Sequence, residues 1–324
     1  MNPTPDPVEP RATAAAAAAR AGVLVRELDG LAEFVVAAAL LDVVWGRRPE
    51  DPPEFSPALM VAMRHAGNYL SGAWAGDELV GVSVGFLGRD ADGSTVHSHI
   101  TGTLPGRPGG GAALKWHQRA WAVDRAITRA TWTFDPLIAR NAFFNLERLG
   151  VDMAAYLVDH YGPMNDEVNR GQPTDRIAAV WNLTGNRVRA AAAAVSAGRA
   201  GTEASTGAAD PDAGALAALG ARVPLRVGPD GTPEIGPPVL PSTAADPSTA
   251  ADVLIGIPPD IEDVRRRDPQ LASVWRLALR RALRPVLAAE RLHVEGFLRS
   301  GWYLARTVGD ARTTPAAPST WRTP

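Results

Sequence analysis

Two adjoining stretches of this chain have residue types and spacings suited to chemistry. The first is TVHSHITGT, Thr95 to Thr103, a β-branched run that reads as a strand. A two-residue period places His97, His99 and Thr101 on one face. Imidazoles titrate near neutrality, so such a pair can accept and pass protons. Core histidines held by hydrogen bonds give the same pattern, and a metal role requires ligands that this stretch lacks. The second stretch follows at once: LPGRPGGGAAL, Leu104 to Leu114, puts Arg107 and the small residues Gly109, Gly110, Gly111 and Ala112 between a strand end and a helix start. Backbone N–H groups at a helix N-terminus lack intrahelical partners, the macrodipole favours an anion there, and glycines let a ligand approach closely. Arg107 adds a guanidinium fork suited to phosphate. A glycine-rich surface loop is the competing reading. A dinucleotide-binding loop fits less well, because that fingerprint needs GxGxxG after a first strand and an acidic residue roughly 20 positions on.

The surrounding pattern supplies the elements that would position these residues. From Gly22, GVLVREL reads as a strand, Leu31 to Trp45 as a buried helix and Pro57 to Ala66 as a second helix. Tyr69 to Trp74 and Leu79 to Gly88 form a hairpin about AGDE, and Thr95 to Thr103 is the next strand. The glycine loop leads into a helix over Ala112 to Arg125. Ala126 to Phe134 is a strand, Leu137 to Leu149 a helix closed by Gly150, and Met153 to Val158 and Arg176 to Leu183 are two further strands. Beyond an Ala/Gly-rich stretch, Arg222 to Ile235 reads as a hairpin, Val253 to Ile257 as a strand, Pro269 to Ala289 as a long helix, and Leu292 to Leu298 with Trp302 to Val308 as a closing hairpin. Mixed β and α elements with one glycine-rich β-to-α junction give an α/β (α+β) fold, a sheet covered by helices on both faces.

Composition narrows the chemistry. A chain of 324 residues with 46% hydrophobic content can bury a real core. A formal charge of -2 gives no drive toward nucleic acid, so no nucleic-acid partner is expected. With no cysteine, disulfide scaffolds, thiolate metal sites and cysteine nucleophiles are excluded. No apolar run approaches the roughly 18 residues that span a bilayer, and Met1 to Arg20 lacks a signal-peptide pattern. No membrane association and a cytoplasmic location are therefore expected. The one lysine, Lys115, stands among many arginines and reads as a compositional bias. Trp116, Trp121 and Trp132 read as core. Asp135 reads as a helix cap, Arg140 as a solvated helix-face residue, and Arg276 with Arg280 as an i, i+4 pair on a surface or interdomain face.

The run RPGGGA resembles the R/Q-x-x-G-x-G/A loop of the GNAT superfamily of acyl-CoA-dependent N-acyltransferases, and it lies between the strand and helix where that family carries it. With HSH at His97 to His99, WTFDP at Trp132 to Pro136, ARNAFFNLERLG at Ala139 to Gly150 and PTDR at Pro173 to Arg176, the chain resembles a subgroup of larger acetyltransferases with a C-terminal extension. The likeness spans Gly22 to Leu183 and, more weakly, Val253 to Tyr303. It implies a GNAT-like, mostly antiparallel central sheet with helices on both faces. Composition gives a disordered leader over 1–20, a connector over 186–221 and a disordered tail over 310–324, and the likeness adds an acyl-CoA-binding domain over 21–185 and a smaller α+β extension over 222–309.

The resemblance also implies a site. A V-shaped opening between two central strands holds the pantetheine arm of acetyl-CoA or another acyl-CoA, succinyl-CoA included. Its pyrophosphate lies on Arg107, Gly110 and Ala112, with backbone of Leu104 and Gly109 to Gly111 as further donors and Asn141 as a polar contact from the next helix. A small amine, an amino acid among the candidates, attacks the thioester directly, with His97 or His99 in place of the family's glutamate base. No metal is implied, and a homodimer stays open. The family's tyrosine, four residues before the glycine that ends the second helix, is replaced here by Leu146. Tyr156 and Tyr161 are alternatives that also read as packing residues, and non-catalytic binding of acyl-CoA as a scaffold is the rival function.

Overall fold

The computed structural model describes residues 8–47, 53, 55–90, 93–162, 172–199, 213–218, 220–239 and 252–307. The tail at 310–324 and much of the connector fall outside them. The chain divides into two compact units, Met1–Trp132 with Trp181–Thr202, and Thr133–Val180 with Glu203–Pro324. Helices are α1 (Val8–Ala21), α2 (Gly30–Val44), α3 (Pro57–His65), α4 (Gly110–Val123), α5 (Ala139–Phe143), α6 (Asn186–Ser196), α7 (Ala213–Ala218), α8 (Ile261–Arg267) and α9 (Pro269–Ala288). Strands are β1 (Leu24–Glu27), β2 (Tyr69–Ala75), β3 (Glu78–Asp90), β4 (Gly93–Thr103), β5 (Arg129–Phe134), β6 (Asp152–Leu157), β7 (Arg176–Asn182), β8 (Arg222–Val227), β9 (Pro233–Ile235), β10 (Val253–Gly256), β11 (Leu292–Leu298) and β12 (Trp302–Thr307).

The larger sheet has strand order β1-β2-β3-β4-β5-β7-β6, and the division between units runs through β5 and β7 themselves. Neighbours pair antiparallel from β1 to β4, and β6 with β7, whereas β4 and β5 are parallel. The fold is thus mixed α/β with a mostly antiparallel sheet. No helix among the described residues is long and apolar enough to cross a membrane.

In the first unit, Leu28, Phe34, Leu41, Met60, Leu70, Val82, Val84 and Ile100 pack α2 and α3 onto one sheet face. Helix α4 covers the other face. A leader without order over 1–20 is not what the described residues show: from Val8 the alanine-rich segment is α1. Alanine has the highest helix propensity, and its small side chains let a helix pack closely. Thr13, Ala14 and Ala17 are buried. Arg119 of α4, itself buried, donates to both Glu9 carboxylate oxygens at 2.9 and 2.7 Å and to the Leu183 carbonyl at 2.8 Å. Arg20 donates to the Val195 carbonyl at 2.6 Å.

In the second unit a five-stranded sheet runs β11-β12-β10-β8-β9. The helix expected over Leu137 to Leu149 is shorter: α5 passes into a π turn over Phe144–Arg148, closed by the Leu149 N–H on the Phe144 carbonyl, before Gly150 turns the chain at φ 69°. Arg276 and Arg280 are not a surface pair. Arg276 is 1% exposed and grips Asp135 through two bonds of 2.5 and 2.7 Å, while Arg280 grips Asp175 at 2.9 and 2.8 Å. Asp135 also accepts from the Leu137 N–H at 2.9 Å, which closes a turn ahead of the helix and does not cap it as expected, because α5 starts only at Ala139 with Ile138 at its N-cap and no side-chain cap. Burial works to raise the Asp135 pKa, but the charge and hydrogen bonds of Arg276 outweigh it and hold the carboxyl below its usual range. Arg140 pairs with Glu262.

Candidate functional site

The site is built where β4 leaves β5. Along β4 the ladder with β3 slips by one residue: Ile100 opposes Val84 and Ser98 opposes Gly85, so His99 is the extra residue of a β-bulge. The bulge changes the simple alternation. His97 and His99 stay together, their ring centroids 6.2 Å apart, but Thr101 turns to the α4 side, where its hydroxyl meets that of Ser83 at 2.8 Å. The expectation of one shared face therefore holds for the two histidines and fails for Thr101, because one extra residue reverses the pleat.

His97 is half-buried, with Nδ1 3.3 Å from the Thr131 hydroxyl on β5. His99 is exposed and set between the rings of Phe55 and Phe86 at 5.4 and 5.6 Å. The parallel ladder between β4 and β5 joins Val96 to Ala130 and His97 to Thr131 and goes no further. From Ser98 onward, the edge of β4 that faced β5 is released from that pairing, beside the two imidazoles.

On the far side of the sheet, β4 runs into the glycine loop. The Leu104 N–H donates to the Val80 carbonyl at 2.9 Å, so that donor is already engaged and only its carbonyl is left to the loop. Arg107 ion-pairs with Glu78 at 2.5 Å, both side chains about half exposed, so an anion on Arg107 competes with a carboxylate. Gly109 is the N-cap of α4 at φ 87°, a left-handed conformation, and no side chain caps the helix. The Gly110 N–H reaches only the Arg107 carbonyl, at 3.5 Å, and the Ala113 N–H bonds the Gly109 carbonyl. Among the described residues no backbone bond engages the N–H of Gly111 or Ala112. A Cβ placed on Gly111 would meet nothing within 4 Å. The amides of Gly111 and Ala112 thus stand unpartnered at the positive end of a helix, the kind of terminus that can receive an anion. Asn141 lies half-buried on α5 in the second unit, with its backbone carbonyl accepting from Asn145 Nδ2 at 2.8 Å.

Of the tyrosine alternatives, Tyr156 is buried and donates to Asp175 at 2.7 Å. Burial and the Asp175 charge push its pKa far up, which makes it part of the fold's polar core. Tyr161 shares a 2.8 Å hydrogen bond with the Thr133 hydroxyl. Leu146, 1% exposed, is packed within the π turn. Among the described residues no group of three or more His, Asp or Glu is arranged to hold a metal ion.

One polar residue in this region carries more than the compositional bias its sequence suggests. Lys115, on the inner face of α4, is 5% exposed. Its Nζ donates to the Ser98 hydroxyl at 2.7 Å and lies 3.6 Å from the centre of the Trp132 ring. Burial brings its ammonium down to about 7. A lone lysine between Leu114 and Trp116 on an apolar helix face was the available signal, and composition alone hid it.

No family model matches this sequence, and no curated protein matches it. Among solved structures, the chain is similar to the ribosomal-protein-S18-alanine N-acetyltransferase of Escherichia coli, at 14% identity over 50% of this chain and 95% of that one, with a TM-score of 0.38. It is similar at 12% identity to an acetyltransferase of the GNAT family from Streptococcus pneumoniae, over 49% of this chain and 98% of that one, with a TM-score of 0.38. A third is an aminoglycoside acetyltransferase from an uncultured soil metagenomic sample in complex with sisomicin, at 13% identity over 35% of this chain and 78% of that one, with a TM-score of 0.32. The fold assignment rests on the strand order and pairing described above.

Proposed function

We propose that this chain is an acyl-CoA-dependent N-acyltransferase that takes an acetyl or succinyl group to a small amine, amino acids included. The observation that carries this reading is the junction itself: a parallel pair, β4 and β5, that stops pairing at His97 and Thr131, and, after the rest of β4 and the glycine loop, a helix whose first amides are unpartnered. In the proposed complex the pyrophosphate takes the N–H groups of Gly111 and Ala112, with Arg107 exchanging Glu78 for phosphate. The freed edge of β4 supplies backbone donors to the thioester arm and its carbonyl. His97 or His99 takes the proton from the ammonium form of the acceptor, and the neutral amine attacks the thioester carbon. The acceleration comes chiefly from holding amine and thioester together.

Thiol release from acetyl-CoA and succinyl-CoA, measured against a panel of amino acids and simple amines, tests the proposal. Turnover with at least one acceptor is expected. Coenzyme binding with no release across the panel would favour the second reading, a non-catalytic acyl-CoA-binding protein. The observation favouring that alternative is Leu146, an apolar, fully packed side chain where the resemblance leads one to expect a tyrosine.

A further inference from the structure

The acyltransferase reading leaves one proton unassigned. As the C–S bond breaks, the sulfur of the coenzyme departs as a thiolate, and Leu146 has no proton to give it. Lys115 is placed to do so. The last rung between β4 and β5 joins His97 to Thr131, and the next residues on the two strands are Ser98 and Trp132. Lys115 Nζ touches both, at 2.7 Å from the Ser98 hydroxyl and 3.6 Å from the Trp132 ring, so it sits beneath the point where the strands part. Its third neighbour is the side-chain oxygen of Gln118, Oε1, at 3.5 Å. A hydroxyl oxygen, an amide oxygen and an aromatic face all accept from, or attract, an ammonium.

Beside it, Gln118 Nε2 is buried without a hydrogen-bond partner, a donor left over at the same spot. Of the titratable and charged groups on the adjoining elements, His117 of α4 meets the Tyr69 hydroxyl of β2 at 3.0 Å, and Arg129 of β5 ion-pairs with Asp90 of β3. His97 and His99 are on β4, on the other side of the sheet from Ser98. Arg119, one turn of side chains along α4, is committed to Glu9 of α1 and to the Leu183 carbonyl.

We propose that Lys115 is the proton donor to the thiolate that leaves the acyl-CoA where β4 and β5 separate, an inference that rests on the acyltransferase reading. The acceptor nitrogen bonds to the carbonyl carbon, and the C–S bond breaks with its electron pair on sulfur. Sulfur takes a proton from Lys115 Nζ, giving the free thiol and a neutral amine. The histidine already holds the proton taken from the acceptor ammonium, so the excess proton on the product nitrogen passes to solvent, and Lys115 is reprotonated from solvent after the thiol leaves. An ammonium brought down to about 7 by burial can give up its proton at neutral pH, as an ordinary lysine cannot.

The test compares wild type, Lys115→Met and Lys115→Arg on two donors, acetyl-CoA and the thioacetate of para-nitrothiophenol, whose thiolate leaves without needing a proton. With acetyl-CoA, Lys115→Met should lower kcat about 100-fold at pH 7 with coenzyme affinity by calorimetry unchanged. With the activated thioester the deficit should shrink to less than about threefold, a selectivity that a packing role would not produce. Wild-type kcat should fall on the alkaline side with an apparent pKa near 7, and both variants should lose that limb, because a guanidinium stays protonated throughout. Should Lys115→Met fail to fold, Lys115→Arg carries the same test. Equal loss on both donors, or an unchanged pH profile, overturns the assignment while leaving the acyltransferase reading intact. Acetyl found on Lys115 by mass spectrometry, unambiguous with one lysine in the chain, would make it a nucleophile and also overturn it. Absence of wild-type turnover despite coenzyme binding removes both ideas together.

Discussion

At the scale of single residues, the two histidines differ in how they are held, and that difference is measurable. His97 has a ring nitrogen on the Thr131 hydroxyl, which orients the imidazole, whereas His99 is exposed between Phe55 and Phe86. Replacing the base should lower kcat about 100-fold and leave coenzyme affinity nearly unchanged, because proton acceptance matters only for the reaction. His97→Gln and His99→Gln, followed by steady-state kinetics and calorimetry, identify which one acts. Parallel loss of affinity and turnover in both would mark them as packing residues. The histidines were legible because two identical, titratable side chains at a two-residue spacing stand out on any strand. Lys115 was not legible, since its significance lies in what Ser98 and Trp132 bring to it from two other elements. Arg107 is legible as a cation near the loop, but its ion pair with Glu78, 29 positions away, depends on the pairing of strand ends that no local pattern contains.

At the scale of elements, most strands and helices followed from alternation, helical spacing and turn residues, and the exceptions have physical causes. The bulge at His99 adds one residue without any Gly or Pro to announce it, so Thr101 lands on the other face. Helix α1 draws its stability from packing and from Arg119, 110 positions away from Glu9, rather than from an amphipathic pattern. The start of α4 offers a paired prediction. Gly111 has open space before it and a negative φ, so Gly111→Ala fits the fold and, by helix propensity, should leave the melting temperature unchanged or slightly higher. If the coenzyme phosphates approach that backbone, the added methyl should weaken coenzyme affinity about tenfold, by the loss of close approach to the helix N-terminus. Gly109→Ala should behave oppositely in stability. Its φ of 87° and the Ala21 Cβ only 3.2 Å from the added atom should cost about 1–2 kcal/mol. Affinity unchanged in Gly111→Ala would place the phosphates elsewhere.

At the scale of the whole molecule, the sequence invites a cut near Gly185, between the region that resembles an acyltransferase and the stretch that follows. The second unit shows what such a cut would remove. Within it, Asp135 and Asp175 come from the earlier stretch and Arg276 and Arg280 from the later one. Tyr303 donates to the Pro136 carbonyl at 2.7 Å, and the Phe297 N–H donates to Glu147 at 2.8 Å. Asp135 and Asp175 are almost wholly buried, at 5% and 0% exposure, and a buried carboxylate that loses its guanidinium is costly. Arg276→Met should therefore destabilise the protein by about 3 kcal/mol in urea unfolding, the lower end for a broken buried pair because Arg265 stays 3.6 Å from Asp135, and adding Asp135→Asn should recover only part of that loss, because Arg265 then loses its counter-charge. By the same reasoning a fragment ending at residue 185 keeps both aspartates and loses both arginines, Tyr303 and the strand bearing Phe297. It should be insoluble, or soluble without a cooperative thermal transition. A fragment that melts cooperatively and binds coenzyme A would show that the first 185 residues fold without the later stretch, and that the ion pairs of the second unit are dispensable.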